Sequence, residues 1–126
     1  MKRSNSNLRR SAERRGRLAE AFARLYMRLK LYEILHRRYK TPGGEIDIIA
    51  KKGSSIVFVE VKMRRSGSDE YDALASVNQR RIVRAAQFFL AKNPELAQKH
   101  LRFDVIFLAP GAWPHHLQGA FEARPN

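Results

Sequence analysis

The chain has 126 residues, enough for one domain with a single core but not for two. Its 25 Lys and Arg against 12 Asp and Glu give a formal net charge of +13, a surface that attracts polyanions. There is no cysteine, which excludes a disulfide framework and a zinc–thiolate site, and no apolar run approaches the ~18 residues of a membrane span, so a cytoplasmic protein without a membrane partner is expected.

Residues 1–10 are polar, basic and aperiodic; they read as a flexible tail, or as an arm that tracks phosphates. Ser11 can cap a helix running to about residue 31, in which Leu18, Phe22, Leu25 and Leu29 recur at helical spacing as a core-facing stripe. Glu20 falls off that stripe near Arg17 and Arg24, where a surface ion pair and a site acid both fit. Residues 32–39 read as a first strand, closed by the Thr41-Pro42-Gly43-Gly44 breaker.

The next two strands carry the chemistry. Side chains alternate along a strand, so Glu45, Asp47 and Ile49 share one face, while Ile56, Phe58, Glu60 and Lys62 share one on the following strand. Gly53-Ser54 suits a two-residue type II′ turn. Lys52 then pairs with Ser55, partners sum to 107, and Asp47 falls opposite Glu60, with Glu45 opposite Lys62. A loop longer or shorter by one residue would put Asp47 and Glu60 on opposite faces.

Two carboxylates about 5 Å apart repel by roughly 3 kcal/mol at an effective dielectric of about 20. A divalent cation between them offsets that repulsion, and Mg²⁺ (or Mn²⁺) suits one or two carboxylates completed by water and substrate phosphate. Lys62 then stands where it can stabilise developing phosphate charge or orient a metal-activated water. The opposing reading makes the acids ordinary solvent-face residues and Glu45–Lys62 a plain cross-strand pair, but both strands are densely apolar and β-branched, where burial selects against charge.

Residues 63–72 form a charged loop without periodicity. A second helix is expected over 72–92, with Leu74, Val77, Ile82, Ala86, Phe89 and Leu90 inward and Gln79, Arg80, Arg81, Arg84 and Gln87 outward, stopped by Pro94. The last strand, 102–109, turns Phe103, Val105 and Phe107 one way and Asp104, Ile106 and Leu108 the other. Asp104 fits a buried structural acceptor better than a group supporting the site. Residues 110–126 read as a C-terminal extension in which His115 and His116 are loop residues, since neighbours on an extended segment point apart.

With those residues in view, the runs Gly43-Gly-Glu-Ile-Asp-Ile-Ile-Ala50, Ile56-Val-Phe-Val-Glu-Val-Lys-Met-Arg64 and Arg102-Phe-Asp-Val-Ile106 resemble the YraN family of small bacterial proteins. That family is assigned to the restriction-endonuclease-like PD-(D/E)xK superfamily, which also holds Holliday-junction resolvases. The likeness covers about residues 16–108. It implies metal-binding acids at Asp47 and Glu60, a catalytic lysine at Lys62, and a further acid at Glu20. Isoleucine precedes Asp47 where the superfamily's name has proline, and Asn78 stands where a basic residue is expected.

The expected fold is therefore α/β, restriction-endonuclease-like, with a mixed central sheet flanked by helices over residues 11–109. The expected function is Mg²⁺-dependent, endonuclease-like action on DNA rather than RNA, with branched or structured DNA as one substrate. Lys51, Lys52, Arg64, Arg65, Gln79, Arg80, Arg81 and Arg84 are the expected nucleic-acid contacts, and a homodimer is compatible with this reading. The alternatives are a catalytically weak nucleic-acid-binding adaptor and an RNA- or ribosome-associated basic protein.

Overall fold

The computed structural model of the chain describes residues 5–64 and 70–123. In chain order it contains helix α1 (Asn5–Leu29), strands β1 (Glu33–Thr41), β2 (Gly44–Lys52) and β3 (Ser55–Met63), and helices α2 (Glu70–Ala75) and α3 (Gln79–Lys92). A 3₁₀ turn at Pro94–Leu96 leads into β4 (His100–Leu108) and β5 (His115–Phe121). The five strands form one sheet in sequence order, antiparallel except for the parallel β3–β4 pair. The result is the α/β fold expected, a mixed sheet flanked by helices. Among the described residues no helix is long and apolar enough to cross a membrane.

The β2–β3 register is the one set by a two-residue turn: Lys52 pairs with Ser55 and Ile48 with Val59. Gly53 takes the positive φ of 59° that the first position of a type II′ turn requires. Alternation also holds along β4, whose Phe103, Val105 and Phe107 join the core under α3 while Ile106 and Leu108 join the core under α1. It breaks in β2. Ile48 and Ala50 pack on the α1 side, but Ile46 lies with Ile49, Ile56 and Phe58 on the α3 side. The break coincides with a missing rung: Arg37 pairs with Ile48 and Tyr39 with Ile46, but Arg38 and Asp47 between them are not paired, and Arg38 has φ 49°. The strand coils at the position that carries the site acid.

Helix α1 differs most from expectation. It starts at Asn5, inside the expected tail, and it buries Ala19, Ala23 and Met27 rather than the leucine stripe. Leu18, Phe22, Leu25 and Leu29 are exposed. The sheet surface beneath α1 is already filled by Ile48, Val57, Val59 and Ile106, so a face with Ala19, Ala23 and one large side chain, Met27, seats the helix closely against it. The expected second helix is two: α2 ends at Ala75, and Asn78 caps α3 by accepting the Arg81 N–H at 3.2 Å. A basic residue at position 78 would lack that cap.

The first turn of α3 rests directly on the start of β2. A Cβ added at Gly44 would collide with the Arg81 carbonyl oxygen, so only glycine allows this approach. Gly44→Ala is expected to cost about 2–3 kcal/mol in urea unfolding, because backbone must move to admit the methyl. An unchanged unfolding midpoint would contradict the close packing.

The segment beyond residue 110 is also part of the fold. Residues 115–121, expected as loop, form β5 along the edge of β4. Asp104, fully buried, anchors it: the carboxylate accepts from Arg102 Nε at 2.8 Å and Nη2 at 2.9 Å, from His116 Nε2 at 2.6 Å and from the Gly119 N–H at 3.0 Å. Arg102 also donates to the Tyr32 hydroxyl at 2.7 Å, and Lys30 Nζ lies 3.1 Å from His116 Nδ1. Asp104 is thus the structural acceptor, and His116 is a member of its network rather than a loop residue.

Candidate functional site

Asp47 and Glu60 lie just past the last paired rung of the hairpin, Ile48–Val59. Beyond that rung the Asp47 Oδ2 accepts the Val61 N–H at 2.8 Å, so a side chain takes up a backbone donor where the ladder stops. Both carboxyls are partly buried. Desolvation pushes Asp47 up to about 6, the Val61 N–H opposing, with the charges of Glu20 and Glu45 adding and that of Lys62 subtracting. Desolvation, then the charge of Asp47, pushes Glu60 up to about 8, again with Lys62 opposing. The two acids therefore share one electrostatic environment, in which the charge of Lys62 favours the ionised form of both.

Asp47 lines a cleft of about 350 Å³ with Glu13, Arg17 and Glu20 from α1, Arg38 and Lys40 from β1, and Glu45 from β2. Glu60 and Lys62, on β3, are not among the cleft walls; the charge of Asp47 acts on Glu60, and that of Lys62 on both acids. Glu20 is held by Arg38 Nε at 2.7 Å. Since α1 buries its alanine face, Glu20 turns toward the sheet and becomes a neighbour of Asp47, as its charge on that acid records.

The residues fit a hard divalent cation in one respect. Two oxygen-donor side chains repel each other in partial burial, and a cation between them would relieve both the repulsion and the lost hydration. The donor set is small: among the described residues no group of three or more His, Cys, Asp or Glu side chains is placed to hold an ion. Asp47 and Glu60 would hold it, Glu20 being engaged by Arg38, and water and substrate phosphate would supply the remaining oxygens. The cation's contribution there would be charge neutralisation and an acidified water.

Both carboxyls bind protons more tightly in the folded chain than the ordinary carboxylate value of about 4 allows. The stabilisation their protonated forms give is full below about pH 4 and declines as pH rises through about 6 and then about 8. Metal-free melting temperature should therefore fall across this window further for the wild type than for the Asp47→Asn/Glu60→Gln double variant, with Mn²⁺ at pH 8 restoring the wild type alone. Parallel pH profiles for the two proteins would contradict a buried acid pair.

The expected nucleic-acid contacts divide by position. Gln79, Arg80, Arg81 and Arg84 are exposed on the first turns of α3, and Arg84 packs beside Gly43 at the β1–β2 turn. Asp47 is three residues from Gly44, about 10 Å along the strand. Lys51 and Lys52 lie at the opposite end of the hairpin, where Lys52 Nζ sits 5.0 Å from the centre of the Tyr32 ring. Arg64 follows β3 and borders a groove beside α1, and Arg65 lies outside the described residues. A second set was not legible in sequence: Arg24 of α1 approaches Arg37 and Arg38 of β1. Burial, then the charges of Arg37, Arg28 and Arg38 against that of Glu20, lower the Arg24 pKa. Of these, Arg38 acts on Asp47 through its charge, and Arg84 of α3 lies beside Gly43 at the start of the same hairpin.

Fold and site together define an α/β protein whose central hairpin presents a strained acid pair and a lysine between arginine-rich elements. The chain belongs to the UPF0102 family: the model described as "Uncharacterised protein family UPF0102" matches residues 19–108, which include β2, β3, α3 and β4. It is 48% identical over 114 residues to a UPF0102 protein of Methylocella silvestris, covering 90% of this chain and 92% of that one. It is 46% identical over 115 residues to UPF0102 protein RPA0323 of Rhodopseudomonas palustris, covering 91% and 88%. It is also 46% identical over 116 residues to UPF0102 protein Atu0303 of Agrobacterium fabrum, covering 92% and 95%.

Proposed function

We propose that this chain is a divalent-metal-dependent phosphodiesterase of the PD-(D/E)xK kind acting on nucleic acid, DNA in preference to RNA. The observation that carries the reading is the acid pair. Asp47 and Glu60 stand in partial burial, each pushed toward protonation, with the charge of Lys62 opposing on both. Such an arrangement weakens a metal-free fold and suits a site that binds Mg²⁺ or Mn²⁺. Lys62 would stabilise phosphate charge as the scissile bond breaks. The arginines of α1, β1 and α3 supply the polyanion attraction, and a net charge of +13 extends it over the surface.

Labelled duplex and four-way-junction DNA, incubated with the chain in Mg²⁺ and in EDTA, tests the reading: cleavage is expected in Mg²⁺ alone. Equal cleavage in EDTA would exclude the mechanism. One observation favours a second reading, an adaptor that binds without cutting: Glu20 is tied to Arg38, so the acid of α1 is not free to join the pair. That reading keeps the binding and loses the metal-dependent products.

In either case binding is chiefly to phosphates and should weaken steeply with salt. Arg24→Gln and Arg37→Gln are each expected to lower the salt slope for duplex DNA by about one unit, as is Arg80→Gln. Lys52→Gln, at the far end of the hairpin, should leave the slope unchanged. Fluorescence anisotropy between low and high salt measures this, and a slope unmoved by Arg24→Gln and Arg37→Gln would remove the α1–β1 set from the interface.

A further inference from the structure

The apolar stripe that α1 turns away from the core has no role in the acid-pair site. Leu18, Phe22, Leu25 and Leu29 are 64, 53, 53 and 75% exposed, a contiguous line of large side chains along a helix already packed through its opposite face. Beside it a groove of about 760 Å³ runs between α1 and the ends of β3 and β4, walled by Leu18, Phe22, Met63, Leu108, Pro110 and Arg15. Met63 is 53% exposed, and Trp113, next in the chain to Ala112 of the groove wall, is 91% exposed. Continuous apolar surface of this kind marks a contact surface.

Charge narrows the occupant. Arg14, Arg15 and Arg28 are exposed within one turn of the stripe. The acids of α1, Glu13 and Glu20, lie on the other side of the helix and line the cleft that holds Asp47. A second copy of the chain would therefore set arginine against arginine, with no acid among the described residues of the groove to meet them. A flat anionic bilayer would satisfy the arginines but leave a recessed groove unfilled. A helical segment with acidic residues around an apolar ridge satisfies both, with the ridge in the groove and carboxylates against the arginines.

We propose that this face of α1, together with the adjoining groove, docks an acidic amphipathic segment of a partner protein. The surface is separate from the acid pair, and the proposal stands whether or not the chain cleaves nucleic acid.

The test titrates the full-length chain with a synthetic helical peptide that has leucines at positions i, i+3, i+4 and i+7 and glutamates elsewhere. Trp113, the single tryptophan of the chain, reports through its emission. Saturable binding is expected, weakened by about tenfold or more in Phe22→Ser and in Arg15→Glu. Both residues are exposed, so both variants should melt with the wild type. Equal binding of a peptide with lysines in place of the glutamates would overturn the proposal, as would affinity unaffected by Phe22→Ser. Absence of peptide binding would overturn it too. So would phosphatidylglycerol vesicles that bind the chain while the peptide does not, or self-association in sedimentation that Phe22→Ser abolishes.

Discussion

Asp47→Asn, Glu60→Gln and Lys62→Ala are each expected to reduce Mg²⁺-supported cleavage by about a hundredfold or more, the scale seen when a group that stabilises transition-state charge is removed. The acid variants should show a second effect of opposite sense. Since burial already favours the neutral form of both carboxyls, the amide variants should melt higher than the wild type at pH 8 without metal. Asparagine can still accept the Val61 N–H through its carbonyl, so Asp47→Asn keeps that bond. Lost activity with lost stability would instead make the pair structural. Glu20→Gln should have a smaller effect on cleavage, because its carboxylate is engaged with Arg38. A single-turnover assay paired with a melt at pH 8 separates these outcomes.

Asp104→Ala is expected to give the largest loss of stability, about 3–5 kcal/mol, as when one partner of a buried charged network is removed. Burial alone would raise the Asp104 pKa, but hydrogen bonds from His116, Arg102 and the Gly119 N–H outweigh it and lower the value overall. Its contribution is therefore present above the unfolded value of about 4 and is lost as pH falls through the lower folded value. Urea unfolding at pH 7 measures the loss, and proteolysis near residues 115–121 should quicken because β5 is held through this carboxylate. A loss below about 1 kcal/mol would contradict its role as the anchor of β5.

The hairpin was legible in sequence because its signals are local. Gly53-Ser54 sets the turn, the turn sets the register, and the register puts Asp47 and Glu60 at neighbouring positions on adjacent strands. The alternation of Phe103, Val105 and Phe107 against Ile106 and Leu108 was legible for the same reason. The orientation of α1 was not. Its sequence offers two apolar faces, one of large side chains and one of Ala19, Ala23 and Met27, and helical periodicity cannot choose between them. The choice depends on how full the sheet is beneath, a property of strands that follow later in the chain. The sequence-based reading of Glu20 depended on that choice, as did the meeting of Arg24 with Arg37 and Arg38. Strand β5 was hidden because His115-His-Leu-Gln-Gly-Ala-Phe121 has little alternation of its own. It is fixed by pairing with β4 and by the buried carboxylate of Asp104.

Anomalous diffraction from a crystal soaked in Mn²⁺ decides whether Asp47 and Glu60 together form a divalent-cation site. A peak is expected between the two carboxyl groups, within bonding distance of an oxygen from each. A soak with no peak there, or with Mn²⁺ only on exposed acids such as Glu13 and Glu45, would contradict it.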